Sequence, residues 1–183
     1  IIYVDDTDLL HWAKFFGIED EAFVGQIQEA TTDWGMLVQA TGGAVKPSKS
    51  FWYLLSWKFR NGKAKLKTKE ELSAFSVEIP QSDGTTAIIP LEANHVTKKT
   101  LGVWNNPLNN PTVPLEKLKG KGLDWVDKLR VRPLERKLTW LSLTSQQYPA
   151  LFYGLSSLYA SPDELEQVMG SVYFNALPFL GYN

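Results

Sequence analysis

A chain of 183 residues with 44% hydrophobic and 21% charged side chains can bury a core, so disorder is not the default expectation. Its lack of cysteine excludes disulfides, thiolate nucleophiles and Cys-ligated zinc, and His11 and His95 are the only imidazoles. The net charge of −1 conceals a polarised distribution: residues 1–45 carry −7, residues 46–71 carry +6, residues 72–97 carry −3, residues 98–137 carry +6 and residues 138–183 carry −3.

Solvated hairpins and an exposed helix face account for such blocks, and so does a polyanionic partner. No stretch approaches the ~20 uncharged apolar residues of a membrane helix, and no basic segment followed by an apolar block opens the chain. The expectation is a soluble, intracellular protein, in nucleus or cytoplasm, with no membrane partner.

The chain opens inside an apolar run, Ile1-Ile2-Tyr3-Val4, that reads as a buried strand starting in mid-element. Leu180-Gly181-Tyr182-Asn183 gives no clear stop, so both boundaries are expected to be arbitrary. From Tyr3 through Asp8 to Leu9, Leu10 and Trp12 the pattern predicts a strand, a tight turn carrying the carboxylates and a second strand.

Apolar positions Phe23, Ile27, Ala30, Trp34, Leu37 and Val38 recur at three and four, predicting an amphipathic helix over 20–41, capped by Asp20 and ended by Gly42. Residues 51–67 read as a hairpin turning at Asn61-Gly62. Phe51, Tyr53, Leu55, Trp57 and Phe59 alternate along its first strand; stacking on bases is one use of such a face, and a core face is the expected one. A second hairpin, confined to an edge by Pro80 and Pro90, is predicted around Asp83-Gly84, between 75–79 and 87–91.

Residues 99–104 predict a short strand, and Asn105 to Pro111 can form neither helix nor central strand, which places a boundary there. Helices are predicted over 115–129, 136–144, 148–158 and 163–177, the last opened by Ser161-Pro162-Asp163.

Adjacent Asp5 and Asp6 are electrostatically unfavourable unless a cation lies between them or one is protonated. With so few nitrogen or sulfur donors, a hard divalent ion, Mg²⁺ or Mn²⁺, fits this pair. Tyr3-Val4-Asp5-Asp6 resembles the aromatic-X-Asp-Asp signature of reverse transcriptases. After it come a helix, then Gly42-Gly43-Ala44-Val45-Lys46-Pro47-Ser48-Lys49, which resembles the family's glycine-then-lysine segment, then Lys99-Thr100-Leu101-Gly102-Val103-Trp104, similar to the Leu-Gly strand of the primer-grip hairpin.

The resemblance spans about residues 1–104 and implies an RNA-directed DNA polymerase of a retrotransposon-like element. Its fold would be α+β: a partial palm of antiparallel strands backed by helices over 1–104, then a mostly helical thumb-like region over 105–183. It implies Asp5 and Asp6 as metal-binding catalytic carboxylates, Lys49 beside the nucleotide phosphates with Lys46 competing for that role, and Leu101 and Gly102 against the primer. The implied partners are an RNA/DNA primer-template, deoxynucleoside triphosphates and an N-terminal palm and fingers, because the family's other metal-binding aspartate lies upstream of the signature. The two hairpins between Lys49 and Leu101 depart from the minimal family pattern.

Two other readings remain. Asp6-Thr7-Asp8 matches the Asp-X-Asp of sugar-nucleotide transferases, although Asp8 reads better as a supporting carboxylate. Alternatively, the chain is a non-catalytic nucleic-acid-binding or assembly module using the basic segments 46–71 and 98–137.

Overall fold

The computed structural model describes residues 8–12, 18–100, 102–155 and 158–182. It is an α+β protein whose chain divides into two compact units, one within Thr7–Val96 and one containing Thr97–Asn183. The expected strand over residues 1–4 lies outside the described residues. Residues 8–12 form no strand and expose Leu9, Leu10 and Trp12, so the second strand predicted there is replaced by irregular chain.

In the first unit, helix α1 spans Asp20–Ala40, as the apolar period predicts. Its N-cap is Glu19 and no side chain caps it, which corrects the role given to Asp20. The Asp20 carboxylate instead accepts from Ser56 Oγ at 2.7 Å and Lys67 Nζ at 2.6 Å. Gly42, at φ 81°, takes the left-handed conformation just past the helix.

Strands β1 (Trp57–Arg60) and β2 (Lys63–Leu66) pair antiparallel around Asn61 and Gly62, both at positive φ, as a two-residue primed turn requires. Strands β3 (Val77–Pro80) and β4 (Thr86–Ile89) form the second hairpin, with Gly84 at φ 81°.

α1 lies on β3. Gly35 admits Ile79, whose Cγ1 would stand 2.9 Å from any added Cβ. Gln28 reaches across, its amide donating to the Glu78 carbonyl at 2.9 Å while its oxygen accepts the Glu78 N–H at 2.7 Å, so the free edge of β3 is satisfied by a side chain. Val24, Trp52, Leu54, Leu72, Val77, Ile79 and Ile89 form the core beneath.

The core face predicted for Phe51 to Phe59 is therefore corrected. The opposite parity, Trp52 and Leu54, is buried, while Leu55, Trp57 and Phe59 are exposed. Residues 51–56 do not continue β1; Trp52 makes a parallel bridge to Leu91, with its N–H donating to the Pro90 carbonyl at 3.1 Å. That pairing fixes which side of the extended segment faces inward.

In the second unit, residues 99–104 form a hairpin rather than one strand. β5 (Lys98–Thr100) pairs with β6 (Val103–Asn105), because Gly102 at φ 82° reverses the chain. Both strands thus fall in the unit that follows Val96, upstream of the boundary expected at Asn105.

Buried Asn106 organises the next loop. Its amide donates to Thr97 Oγ1 and the Asn110 carbonyl, and its oxygen accepts from the N–H groups of Leu108 and Asn110. Helices α2 (Thr112–Val131), α3 (Arg136–Ser142), α4 (Tyr148–Phe152) and α5 (Pro162–Leu180) follow.

Leu143–Gln147 is a π-helical turn, where Thr144 and Ser145 hydroxyls donate back to the Trp140 and Leu141 carbonyls and compete with the α-helical ladder. The helix expected over 148–158 stops after Phe152; Gly154, a poor helix former, abuts Val103. Ser161 and Glu164 form the reciprocal capping box of α5.

Trp125, Val126 and Leu129 of α2 pack with Leu143 and with Val172, Ala176 and Leu180 of α5. Gly122 is the point of closest approach: a Cβ there would stand 2.5 Å from Cγ2 of the fully buried Val172, whose β-branched side chain is stiff at χ1. Gly122→Ala should therefore destabilise by about 1–2 kcal/mol, overpacking outweighing the gain in helix propensity. Gly120, in the same helix with nothing within 4 Å of an added Cβ, should gain up to ~1 kcal/mol as Ala. Urea unfolding of the two variants should show opposite signs.

Candidate functional site

Asp5, Asp6 and Leu101 lie outside the described residues. Among the described residues, no group of three or more His, Asp or Glu side chains could hold a metal ion.

Lys49 ends the short 3₁₀ turn Pro47–Lys49, which begins immediately after Lys46. The Lys49 N–H donates to the Lys46 carbonyl at 3.0 Å, and Ser50 Oγ donates to the same oxygen. Lys46 and Lys49 are both exposed, one at each end of a turn set by Pro47.

Gly102 belongs to the other unit, at the tip of β5–β6, next to the closing pair Thr100 and Val103. Its φ of 82° makes glycine a conformational requirement there, beyond the close approach expected from sequence. An added Cβ would meet only Tyr153, at an ordinary 3.4 Å, so the glycine serves the turn more than it relieves crowding. The hairpin is held in its unit by Val103 against Gly154 and by Lys117, whose Nζ stands 5.2 Å from the centre of the Trp104 ring.

The basic block of α2 is largely engaged within its own unit. Besides Lys117 on Trp104, Lys121 donates to the Ala150 carbonyl, Lys128 pairs with Asp124, and Arg130 pairs with Asp127 and reaches Asn175. These contacts are exposed and worth little in stability.

The other basic block is arranged differently. In the β1–β2 hairpin, Lys58 opposes Lys65 and Arg60 opposes Lys63, placing four cations on one face; Trp57 and Phe59, opposite Leu66 and Ala64, occupy the other. Trp57 is 51% and Phe59 78% exposed. The alternation Trp57-Lys58-Phe59-Arg60, matched by Lys63-Ala64-Lys65-Leu66, carries this arrangement in the sequence, where the apolar half of the pattern has the look of a core face.

The hairpin is tied at its base. Lys67 N–H donates to the Ser56 carbonyl at 2.8 Å, and Asp20 gathers Ser56 and Lys67. Burial raises the Asp20 pKa, but hydrogen bonds from Lys67 and Ser56 and the Lys67 charge outweigh it and hold it below the ordinary 3.8. Because the folded state depresses this pKa, the stabilisation is present above the unfolded value and is lost as pH falls through the folded one. Asp20→Asn should cost about 1–3 kcal/mol at neutral pH. The difference from wild type should fade in unfolding titrations carried below pH 3.8.

Burial pushes the Tyr53 phenol up to about 12, assisted by the Glu92 charge, and burial likewise raises Tyr173 to about 12, assisted by Tyr148. Neither phenol is a proton donor or acceptor matched to neutral pH. Among the described residues, no helix is long and apolar enough to cross a membrane. Comparison with protein-family models, with curated proteins and with solved structures gives no match to this chain.

Proposed function

We propose that the chain is part of an RNA-directed DNA polymerase that adds nucleotides to a primer 3′ end by phosphoryl transfer. The observation that carries this reading is the order of three landmarks: Tyr3-Val4-Asp5-Asp6, the glycine-then-lysine segment ending at Lys49, and Leu101-Gly102. Lys49 stands exposed on a short turn after α1, open to an anion, whereas Gly102 turns a tight hairpin where a single strand is expected from the sequence.

In this reading Asp5 and Asp6 supply oxygen ligands to Mg²⁺ or Mn²⁺. When bound, the metal lowers the pKa of the attacking 3′-hydroxyl and offsets charge on the phosphates. Lys49 steadies or helps to protonate the pyrophosphate leaving group. Leu101 and Gly102 set the primer backbone, while the exposed lysines of α2 hold the duplex by charge.

Holding metal ions at fixed separation takes more carboxylates than this pair, and the family carries a further one on a segment before the signature. Residues 1–183 alone are therefore expected not to extend a primer on an RNA template. The same residues joined to the sequence encoded immediately upstream should do so in the presence of Mg²⁺. Extension by residues 1–183 alone would show that the missing part of the site is misassigned. Binding of primer-template by the fusion without extension would favour a non-catalytic nucleic-acid-binding module, which the exposed cations of β1–β2 support.

A further inference from the structure

The β1–β2 hairpin carries two features that its own stability does not explain. Like charges face each other directly across the strands, Lys58 against Lys65 and Arg60 against Lys63, an arrangement that weakens a sheet. Glu71 pairs with Lys58 and also feels the charge of Lys65, and among the described residues it is the one acid paired with any of these four cations. On the other face, Trp57 is half exposed and Phe59 largely so, although the core of the same unit lies only a few residues away at Trp52 and Leu54. The hairpin forms a two-stranded sheet by itself, fixed at its base through Asp20, Ser56 and Lys67.

We infer that this hairpin is a binding element for single-stranded nucleic acid, with bases stacked on Trp57 and Phe59 and phosphates neutralised by Lys58, Arg60, Lys63 and Lys65. A polyanion accounts for the opposed cations, since each phosphate relieves the repulsion that the cross-strand pairs create. Flat π-faces account for the rings, because base stacking on aromatic side chains tolerates any sequence.

A duplex keeps its bases stacked on one another and offers the rings nothing except at its ends. An acidic protein segment would satisfy the cations and leave the rings wet. The ribbon is narrow, its strands about 4.8 Å apart, and Lys and Arg side chains are long enough to reach round its edges to phosphates whose bases lie on the aromatic face. The element is independent of Asp5 and Asp6 and would serve a polymerase or a binding module alike.

The test uses the 183-residue chain without added metal, with fluorescein-labelled (dT)₁₂ and U₁₂ in anisotropy titrations at several salt concentrations, and an unlabelled duplex of the same length as competitor. The two oligonucleotides separate a DNA from an RNA preference within one binding chemistry. The variant W57A/F59A should weaken binding at least about tenfold with little change in salt slope, as loss of stacking predicts. The variant R60Q/K63Q/K65Q leaves the Lys58–Glu71 pair in place and should lower the slope of log K against log salt by about 2.

The substituted positions all lie on the hairpin surface, and an unchanged far-ultraviolet circular dichroism spectrum and melting curve would tie lost binding to lost contacts. Wild-type affinity in W57A/F59A, equal competition by the duplex, or binding to anionic phosphatidylserine vesicles with none to either oligonucleotide would each overturn the assignment. Failure of primer extension by the fusion leaves these measurements unaffected, so the two readings fail separately.

Discussion

Asp5→Asn is expected to reduce primer extension by the chain joined to its upstream sequence by on the order of 10³-fold or more. A metal ion contributes several kcal/mol of charge stabilisation to a phosphoryl-transfer transition state, and each ~1.4 kcal/mol is a factor of ten in rate. Replacing one carboxylate by a neutral amide removes a hard anionic ligand while preserving shape, so the loss should appear in kcat with primer-template affinity nearly intact. Asp6→Asn should behave alike.

Asp8→Asn separates the two carboxylate readings. If Asp5 and Asp6 form the pair, Asp8 supports them and its substitution should cost far less. If Asp8 is itself a metal ligand of the polymerase site, Asp8→Asn should be as damaging as Asp6→Asn. Steady-state extension across the three variants, with anisotropy measured on the same preparations, distinguishes these outcomes. Full activity in Asp5→Asn would remove the polymerase reading altogether.

Local structure is legible in the sequence where one residue type controls the backbone. Asn61-Gly62 and Asp83-Gly84 mark turns because positive φ is required there, and both are hairpin turns. The three-and-four spacing from Phe23 to Val38 marks α1, and Ser161 with Glu164 marks the start of α5.

What could not be read depends on partners distant in sequence. Asp20 has the composition of a cap, yet its hydrogen bonds come from Ser56 and Lys67, which only the fold brings near. The strand over 99–104 breaks in two because Gly102 sits in the left-handed region, which a glycine permits without announcing. Of the candidate site, the loop position of Lys49 is legible from Pro47, which excludes the helix from continuing. The aromatic segment from Phe51 to Phe59 is not, because Phe51, Trp52 and Tyr53 place rings on both parities, and alternation alone cannot say which side is buried.

That ambiguity makes Trp52 the decisive position for the first unit, and Trp52→Ala is expected to destabilise it by about 3–5 kcal/mol. The side chain is only 9% exposed and packs with Val24, Leu54, Leu72, Val77, Ile79 and Ile89. Its indole N–H donates to the Ile89 carbonyl at 3.1 Å, and its backbone links to Pro90 and Glu92 through its N–H and carbonyl. Truncation to Ala leaves these backbone bonds possible but opens a cavity under α1 and withdraws the indole donor from Ile89.

Trp52→Phe retains most of the hydrocarbon and loses the donor, so about 1–3 kcal/mol should be lost. Trp57→Ala, five positions on and half exposed, should cost no more than about 1 kcal/mol, well below Trp52→Ala. Urea unfolding followed by far-ultraviolet circular dichroism orders the three variants. A Trp57→Ala cost equal to that of Trp52→Ala would mean that the aromatic face of β1 is buried after all, and the nucleic-acid role assigned to it would fall with that result.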